Sequence, residues 1–245
     1  MAQNSEWFEI WFNTPYYHIL YKDRDESEAE ELIRNLIRVL HPKKEDKILD
    51  LACGKGRHAI FLNKMGYDVT GVDLSAESIH EAKKSENNSL CFDVHDMREV
   101  YKENAYQFVL NLFTSFGYFE NFADNARVLN AIYKMLTPDG IFVLDFMNLT
   151  HVLKNLVVEE EKNVDGILFH ITRKCDGVFL YKDIRFQDKG KEFYFQEKVQ
   201  AITKLDLEIL LEVNNFKILN TFGDFNLSAF NEDKSDRLIF IVQKK

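Results

Sequence analysis

The chain has 245 residues, of which 46% are hydrophobic, and its formal net charge is -9. A chain of this size can bury one substantial core, or one domain with a large insertion, and a second domain of ordinary size is not expected. The acidic balance argues against a surface built chiefly to neutralise nucleic acid phosphates, so no nucleic acid partner is expected.

The cysteines and the N-terminal residues indicate the compartment. Cys53, Cys91 and Cys175 form no C-x-x-C pair and no cluster with histidine at zinc-ligand spacing, so we expect reduced thiols and no metal site. The N-terminal residues lack the basic and apolar regions of a signal peptide, and no run approaches the ~20 apolar residues of a membrane span. The sequence therefore predicts a cytoplasmic protein without a membrane partner.

In chain order, the first predicted unit is a helical cap over about 1–42. Aromatic side chains crowd residues 5–21 at helical spacing, which favours a helix packed along one side onto the main body. Pro15 should end that helix, since proline blocks helix continuation. Tyr16 and Tyr17 would then lie on a connecting segment, where lid residues are often found.

An amphipathic helix over 25–40 completes the cap, and strand and helix patterns then alternate. The predicted strands span 47–51, 68–73, 90–92, 105–112 and 141–146, and the predicted helices between them span 57–64, 78–84 and 123–136. Such alternation is the signature of a parallel doubly wound sheet.

A glycine-rich turn lies between the first predicted strand and the helix that follows it. Gly54 and Gly56 allow a tight turn and the close approach of a ligand, so a nucleotide-type ligand is the first hypothesis. The turn also matches the dinucleotide fingerprint G-x-G-x-x-G/A, and Asp73 lies 19 residues (73 minus 54) after Gly54. That spacing is close to the ~20 residues expected of a ribose-binding acid.

Asp50, at the end of the strand before the glycines, separates two kinds of nucleotide ligand. Its carboxylate would repel the pyrophosphate of a dinucleotide placed at the helix N-terminus. S-adenosylmethionine carries an ammonium and a sulfonium and no phosphate, so an acid at the turn suits its charge. The residues therefore favour the methyl donor, and an NAD-dependent oxidoreductase is the less favoured alternative.

The pattern changes after the fifth strand, over 151–202. Strand-like segments with period-two alternation are separated by Asp165-Gly166, Asp176-Gly177 and Lys189-Gly190, all of which suit hairpin turns. We therefore predict an antiparallel β insertion with apolar side chains on both faces. One face would cover the active-site mouth, and the other would meet a second copy of the chain in a homodimer.

Three motifs resemble those of class I S-adenosylmethionine-dependent methyltransferases. The segments 50–56, 71–75 and 93–98 resemble the glycine-rich, ribose and adenine motifs of that family, in the same order, and 223–230 and 237–240 are also typical of it.

The resemblance implies an α/β protein with a Rossmann-like, doubly wound seven-stranded sheet whose last strand is antiparallel. The methyltransferase domain would comprise 1–150 and 203–245, with the insertion after the fifth strand.

The resemblance also implies residue roles. The methionine part of the donor would contact Asp50, Ala52, Cys53, Gly54, Gly56 and Arg57, the ribose Asp73 and Leu74, the adenine Asp96 and Met97, and the sulfonium end Phe113. Ala52 departs from the family, in which glycine is common at this position. Alanine adds only a methyl group, so we expect tighter packing there and no loss of binding.

The loop over 113–119 and the insertion resemble small-molecule N-methyltransferases, such as those that act on amino sugars or glycine. The resemblance implies methyl transfer to a small-molecule acceptor, an amine first, with an oxygen or carbon acceptor as the alternative. Candidates to take or direct the proton are Tyr16, Tyr17, Tyr118 and His151. The non-enzyme alternative is a module that binds S-adenosylmethionine without catalysis.

Overall fold

The computed structural model describes residues 6–22 and 26–245, and three helices open the chain. These are α1 (Trp7–Phe12), α2 (Pro15–Leu20) and α3 (Glu26–Leu40). The first five residues of the predicted cap, and the predicted start of the third helix at Asp25, lie outside the described residues.

Pro15 begins a helix instead of only ending one. It occupies the first position of α2, where a missing N–H removes no hydrogen bond, and the Thr14 side chain caps the helix by accepting from the Tyr17 N–H at 3.2 Å. Tyr16 and Tyr17 therefore lie within a helix. The prediction that they lie on a connecting segment is wrong, because the proline that stops α1 has a φ angle suited to the first turn of the next helix.

In the described residues that follow, there are five further α-helices, one 3-10 helix (Lys83–Ser85) and eleven strands. The helices are α4 (Arg57–Lys64), α5 (Ala76–Ala82), α6 (Ala123–Met135), α7 (Leu149–Lys154) and α8 (Lys204–Val213). The strands are β1 (Lys47–Leu51), β2 (Asp68–Asp73), β3 (Leu90–Val94), β4 (Tyr106–Asn111), β5 (Leu136–Met147), β6 (Glu159–Val164), β7 (Ile167–Cys175), β8 (Phe179–Asp188), β9 (Lys191–Gln200), β10 (Phe216–Phe222) and β11 (Arg237–Lys244). Among the described residues, no helix is both long and apolar enough to span a membrane.

The main sheet has seven strands in the order β10-β11-β5-β4-β1-β2-β3. The strands from β1 to β5 pair in parallel, whereas β11 runs antiparallel to both β5 and β10. Helices cover both faces, so the central strands are buried on both sides, as their continuous apolar runs require. The predicted doubly wound sheet with an antiparallel last strand is confirmed.

The insertion forms a second, four-stranded antiparallel sheet in the order β6-β7-β8-β9. Its hairpin turns fall at the three predicted dipeptides. Asp165 and Gly166 both have positive φ (52° and 82°), as do Lys189 and Gly190 (49° and 74°), which is the backbone that a two-residue hairpin turn needs.

The inner face of the insertion packs on α1 and α2. The shared buried cluster consists of Trp11, Leu20, Val164, Ile167, Phe169, Ile171, Ile184 and Phe186. Polar contacts cross the same interface, since Trp11 Nε1 donates to Glu197 Oε1 at 2.8 Å and Tyr16 Oη donates to Asp188 Oδ2 at 2.9 Å. The N-terminal helices and the insertion therefore share one core.

The outer face of the insertion differs from the expectation that both faces are apolar. At its centre Asp183 Oδ1 accepts from Tyr194 Oη at 2.6 Å and from Gln196 Nε2 at 2.8 Å, and the Arg185 guanidinium lies over the Tyr194 ring. Leu168 is exposed on the neighbouring strand β7. A dimer contact through this mainly polar face stays a prediction.

Candidate cofactor site

A cavity of about 420 Å³ opens where the parallel strands of the main sheet end. Its lining includes residues that directly follow β1, β2, β3 and β4, which is the edge where open α/β sheets bind ligands. The opposite wall comes from the N-terminal helices and the residues after them. That wall consists of Phe8, Phe12, Tyr17, His18, Tyr21 and Lys22.

Most of the residues assigned to the donor come together in this cavity. The ones that line it are Ala52, Cys53, Gly54, Arg57, Asp73, Leu74, Asp96, Met97 and Phe113. Asp50 and Gly56 are absent from the lining and lie behind it. Of the proton candidates, Tyr17 and Tyr118 line the cavity, whereas Tyr16 and His151 do not.

Asp50 accepts a hydrogen bond from the first turn of α4, the helix that follows the glycine turn. Its side chain is only 1% exposed, and Oδ2 accepts from the Ala59 N–H of α4 at 3.2 Å. Burial raises the pKa of this carboxyl group to about 7, against the lowering effect of that hydrogen bond. Asp50 therefore titrates near neutral pH, and a positive charge bound in the cavity would favour its ionised form.

Asp73 joins the glycine turn to the start of α5. Its Oδ2 accepts from the Gly54 N–H and its Oδ1 from the Ser75 N–H, both at 2.8 Å. Burial raises the pKa of Asp73, and these two hydrogen bonds act against the rise. A carboxylate oxygen has two lone pairs, so both oxygens retain capacity for the hydroxyl pair of a ribose.

The glycine turn leaves room for a ligand on one side and is tightly packed on the other. Gly54 has a φ of 57°, and no atom lies within 4 Å of the position that a Cβ would take there. A Cβ on Gly56 or on Gly71 would instead lie 2.5 Å from the buried Phe92 ring. The open side faces the cavity, which fits a ligand resting on the Gly54 backbone.

Ala52 has a φ of 63°, in the left-handed region that alanine enters only with strain. The frequent glycine of the family at this position is therefore explained by backbone conformation. The expectation of tighter packing missed this, because a φ angle cannot be seen in the composition of a motif.

The wall after β4 is built around Phe113. Its ring stacks on the His58 ring with centroids 5.1 Å apart and on the Phe225 ring at 4.8 Å, and the Arg57 guanidinium carbon lies 4.2 Å from its centroid. Phe113 and the next residue, Thr114, have φ angles of 58° and 59°. Two successive residues other than glycine in the left-handed region mark a strained segment at the cavity.

His58 lines the cavity and was missed by the sequence analysis. It is buried, and its Nε2 has no hydrogen-bond partner among the described residues. Burial, together with the charge of Arg57, lowers the pKa of His58 to about 3, so the ring is neutral at physiological pH. The sequence does offer one signal for a role of His58 at the site, which is its position in the first turn of α4, directly after the glycines.

The adenine motif is tied to the N-terminal helices by Arg98. Its Nε lies 3.0 Å from both carboxylate oxygens of Asp96, and its Nη2 donates to Asp96 Oδ2 at 2.6 Å and to Glu6 Oε2 at 2.8 Å. Burial acts to raise the pKa of Asp96, but the hydrogen bonds from Arg98 outweigh it and lower the pKa. Asp96 is therefore an ionised acceptor at the cavity wall.

The insertion contacts residues that line the cavity, since Gln200 Nε2 of β9 donates to the Phe119 carbonyl at 2.6 Å. No residue of β6 to β9 is part of the described lining. Tyr21, which does line the cavity, donates from its hydroxyl to Glu197 Oε1 at 2.5 Å and accepts from Lys182 Nζ at 2.5 Å. The inner face of the insertion packs on α1 and α2, and cover of the active-site mouth by the insertion stays a prediction.

Tyr16 and His151 are directed away from the cavity. Tyr16 packs between Phe186 and Phe193 of the insertion, with ring centroids at 4.6 and 4.7 Å. His151 lies on α7, where its Nε2 is 3.1 Å from Asp236 Oδ1. The structure does not bring Tyr16 or His151 to the cavity, where a group must reach the acceptor to direct its proton, and their proton-directing role stays a prediction.

Within 6–22 and 26–245, no group of three or more His, Cys, Asp and Glu side chains could hold a metal ion. The residues present fit S-adenosylmethionine instead. Asp73 and Asp96 offer acceptors that would suit the ribose and the adenine, the open turn lies at Gly54, and the buried acid Asp50 lies behind it.

Comparisons with known proteins show the family to which the chain belongs. A family model described as a methyltransferase domain matches residues 42–224. A candidate methyltransferase of Bacillus subtilis (strain 168), YqeM, is 33% identical over 208 residues, which cover 81% of this chain and 84% of that protein. The glycine/sarcosine N-methyltransferase of Aphanothece halophytica is 27% identical over 235 residues, covering 90% and 83% of the two chains.

Solved structures share the fold over nearly the whole chain. An S-adenosylmethionine-bound amino pentose methyltransferase from Micromonospora echinaspora superimposes with a TM-score of 0.73 at 16% identity. The match covers 95% of this chain and 98% of that one. At this identity the likeness shows the fold alone.

Proposed function

Because this chain belongs to the S-adenosylmethionine-dependent methyltransferases, we propose that it transfers the donor's methyl group to the amine of a small metabolite. The observation that supports a small acceptor is the limited volume of the cavity, about 420 Å³, because α1 and α2 form a wall across it. The amine is supported by the glycine/sarcosine N-methyltransferase among the relatives and by the amino pentose methyltransferase among the structures.

The chemistry is an in-line displacement at carbon. S-adenosylmethionine, when bound, supplies a methyl group already activated by its sulfonium, which becomes a neutral thioether as the nitrogen lone pair forms the new bond. The protein then contributes mainly alignment and exclusion of water, and alignment can supply up to about 7 to 11 kcal/mol in favourable cases. Asp73 and Asp96 hold the donor, and the N-terminal helices close the cavity over the acceptor.

Tyr17 and Tyr118 are the residues that we assign to the acceptor nitrogen. They come from different walls, α2 and the loop after β4, and both line the cavity. Each phenol can accept a hydrogen bond from a neutral amine and so direct its lone pair towards the methyl group. The methylated nitrogen carries one more bond and releases a proton, for which the same hydroxyls give a path towards solvent.

The test is a panel of small acceptors with release of S-adenosylhomocysteine as the readout. We expect turnover with primary or secondary amines, such as glycine, sarcosine and amino sugars, and no turnover with matched alcohols or carboxylic acids. Turnover confined to oxygen or carbon acceptors would contradict the amine assignment.

The Asp73→Ala variant tests the donor site independently of the identity of the acceptor. Asp73→Ala should remain folded but lose donor binding by at least about 100-fold, because the ribose hydroxyls lose a charged acceptor. Wild-type donor affinity in a folded Asp73→Ala protein would overturn the ribose assignment and leave the acceptor result intact.

A further inference from the structure

We propose that Asp145 and Arg237 are positioning residues for the donor site. They hold Phe113 and Thr114 in the left-handed backbone conformation that builds the cavity wall after β4. The inference rests on the assignment of Phe113 to the sulfonium end of the donor, and it does not depend on which acceptor is methylated.

Asp145 provides two acceptors for the strained segment. Its Oδ2 accepts from the Phe113 N–H at 2.7 Å, and its main-chain carbonyl accepts from the Thr114 N–H at 3.1 Å. The Asp145 side chain is fully buried, so this charge needs partners on every side. Both N–H groups of the segment are therefore satisfied by a single residue of the neighbouring strand.

Arg237 completes the contact from the other side. Its Nε donates to Asp145 Oδ1 and its Nη2 to the Thr114 hydroxyl, both at 2.8 Å. The guanidinium also lies 5.5 Å from the centroid of Phe225, which stacks on Phe113. Arg237 thus contacts Asp145, the strained Thr114 and the Phe225 ring.

Sheet topology explains why these residues meet although they are 92 positions apart. Strand β11 runs antiparallel to β5, so its first residue lies at the edge where the parallel strands end. Arg237 pairs with Met147 and Ile239 with Asp145, which makes Arg237 and Asp145 diagonal neighbours on one face. Phe113 follows β4, the strand on the other side of β5.

The left-handed backbone of residues 113–114 is strained, so this segment needs the support of Asp145 and Arg237. A β-branched residue at positive φ, such as Thr114, is a genuine outlier, and such conformations persist where the surroundings over-determine them. Phe113 and Ser115 line the cavity, whereas Asp145, Arg237 and Thr114 do not. Asp145 and Arg237 therefore act on the donor through the loop.

The first experiment measures donor affinity by calorimetry with S-adenosylmethionine. Arg237→Lys keeps the charge but loses the planar pair of donors, so we expect at least tenfold weaker binding. The matched control is Arg173→Lys, which alters a similar partly buried arginine pair, with Glu160, in the insertion. The control should bind within twofold of wild type; equal affinity in both variants would overturn the proposal.

The second experiment separates positioning from a general loss of structure. In the Arg237→Lys background, Thr114→Gly should recover most of the lost affinity, because glycine adopts the left-handed region without support. A loss that Thr114→Gly does not recover would mean that Arg237 stabilises the fold and does not position the loop.

If Arg237→Lys does not fold, a third experiment compares two variants of Thr114. Thr114→Ser retains the hydroxyl that accepts from Arg237, whereas Thr114→Val removes it with little change of shape. We expect near wild-type donor affinity for Thr114→Ser and at least fivefold weaker binding for Thr114→Val. Equal affinity of the two would contradict the role of the Arg237 hydrogen bond. All three readouts use the donor alone, so they are independent of the acceptor panel.

Discussion

The Phe92 ring occupies the space that a side chain at Gly56 would need, with Cε1 2.5 Å from the position of that Cβ. Phe92 is buried under the glycine turn, and Gly56 also has a φ of 81°. We expect Gly56→Ala to lower the free energy of unfolding by about 2 to 5 kcal/mol, about 1 to 2 from backbone strain and about 1 to 3 from overpacking. Urea unfolding measures this difference.

Gly54→Ala is the matched control for Gly56→Ala. Gly54 is also left-handed, but its Cβ would meet no atom within 4 Å, so only the strain of about 1 to 2 kcal/mol is expected. Equal losses of stability in the two variants would show that the Phe92 contact does not matter.

The raised pKa of Asp50 predicts a pH dependence of stability. Burial raises this pKa to about 7, whereas the unfolded value is about 3.9, so the folded state binds an extra proton between those pH values. Stability from this group therefore falls as pH rises from about 4 to 7. Asp50→Asn removes the titration, so its free energy of unfolding relative to wild type should increase over that interval in urea titrations.

The Asp50 carboxyl group also couples donor binding to proton release. A cationic donor near Asp50 favours the ionised carboxylate, so binding near pH 6.5 should release a fraction of a proton, and affinity should rise from pH 6 to 8. Calorimetry in buffers of different ionisation enthalpy measures the release. Asp50→Asn should abolish most of it; unchanged release in that variant would place the linkage on another group.

The Arg98 contacts predict a role in donor affinity. Arg98→Leu removes the hydrogen bonds that orient the Asp96 carboxylate, and we expect about tenfold weaker donor binding in calorimetry. Arg127→Leu is the control, since Arg127 is exposed and pairs with Glu99 and Asp124 at the surface. Similar affinities in the two variants would refute the orienting role.

Arg98→Leu should also change acid stability. The lowered pKa of Asp96 contributes stability above the unfolded value of about 3.9, and this contribution is lost as pH falls through the folded pKa. Without Arg98 the folded pKa should rise, so less stability is lost between about pH 5 and 2. Urea unfolding at a series of acid pH values measures the difference from wild type.

The two cavity tyrosines predict a separation of catalysis from binding. Tyr17→Phe and Tyr118→Phe should each lower kcat by about tenfold or more and leave donor affinity within about twofold, because each removes a hydroxyl but keeps the ring packing. Tyr16→Phe and His151→Asn, outside the cavity, are the controls and should keep wild-type kcat. A loss of kcat in the controls alone would reverse the assignment.

Much of the fold was predictable because its signals are local. The bounds of β1, β2 and α4 agree with the sequence prediction, since apolar periodicity and flanking glycines act within a few residues. The Asp-Gly and Lys-Gly turns of the insertion were also predictable, because positive φ at such residues is a property of the dipeptide itself.

Errors arose where one local signal had two possible outcomes. Pro15 follows the end of one helix and begins the next, whereas its position predicts only the end of the first. The left-handed conformation of Ala52 was not predicted either, because the identity of a residue does not reveal its φ angle.

By itself, the amino-acid sequence determined the alternation of strands and helices from β1 to β5, the glycine turn and the charges that favour a sulfonium donor over a dinucleotide. Tertiary structure alone decided that Tyr17 and Tyr118 line the cavity while Tyr16 and His151 do not. It also decided that Arg237 meets Asp145 behind Phe113. The physical reason is that these contacts depend on sheet register and on burial across distant segments, which no spacing within a motif specifies.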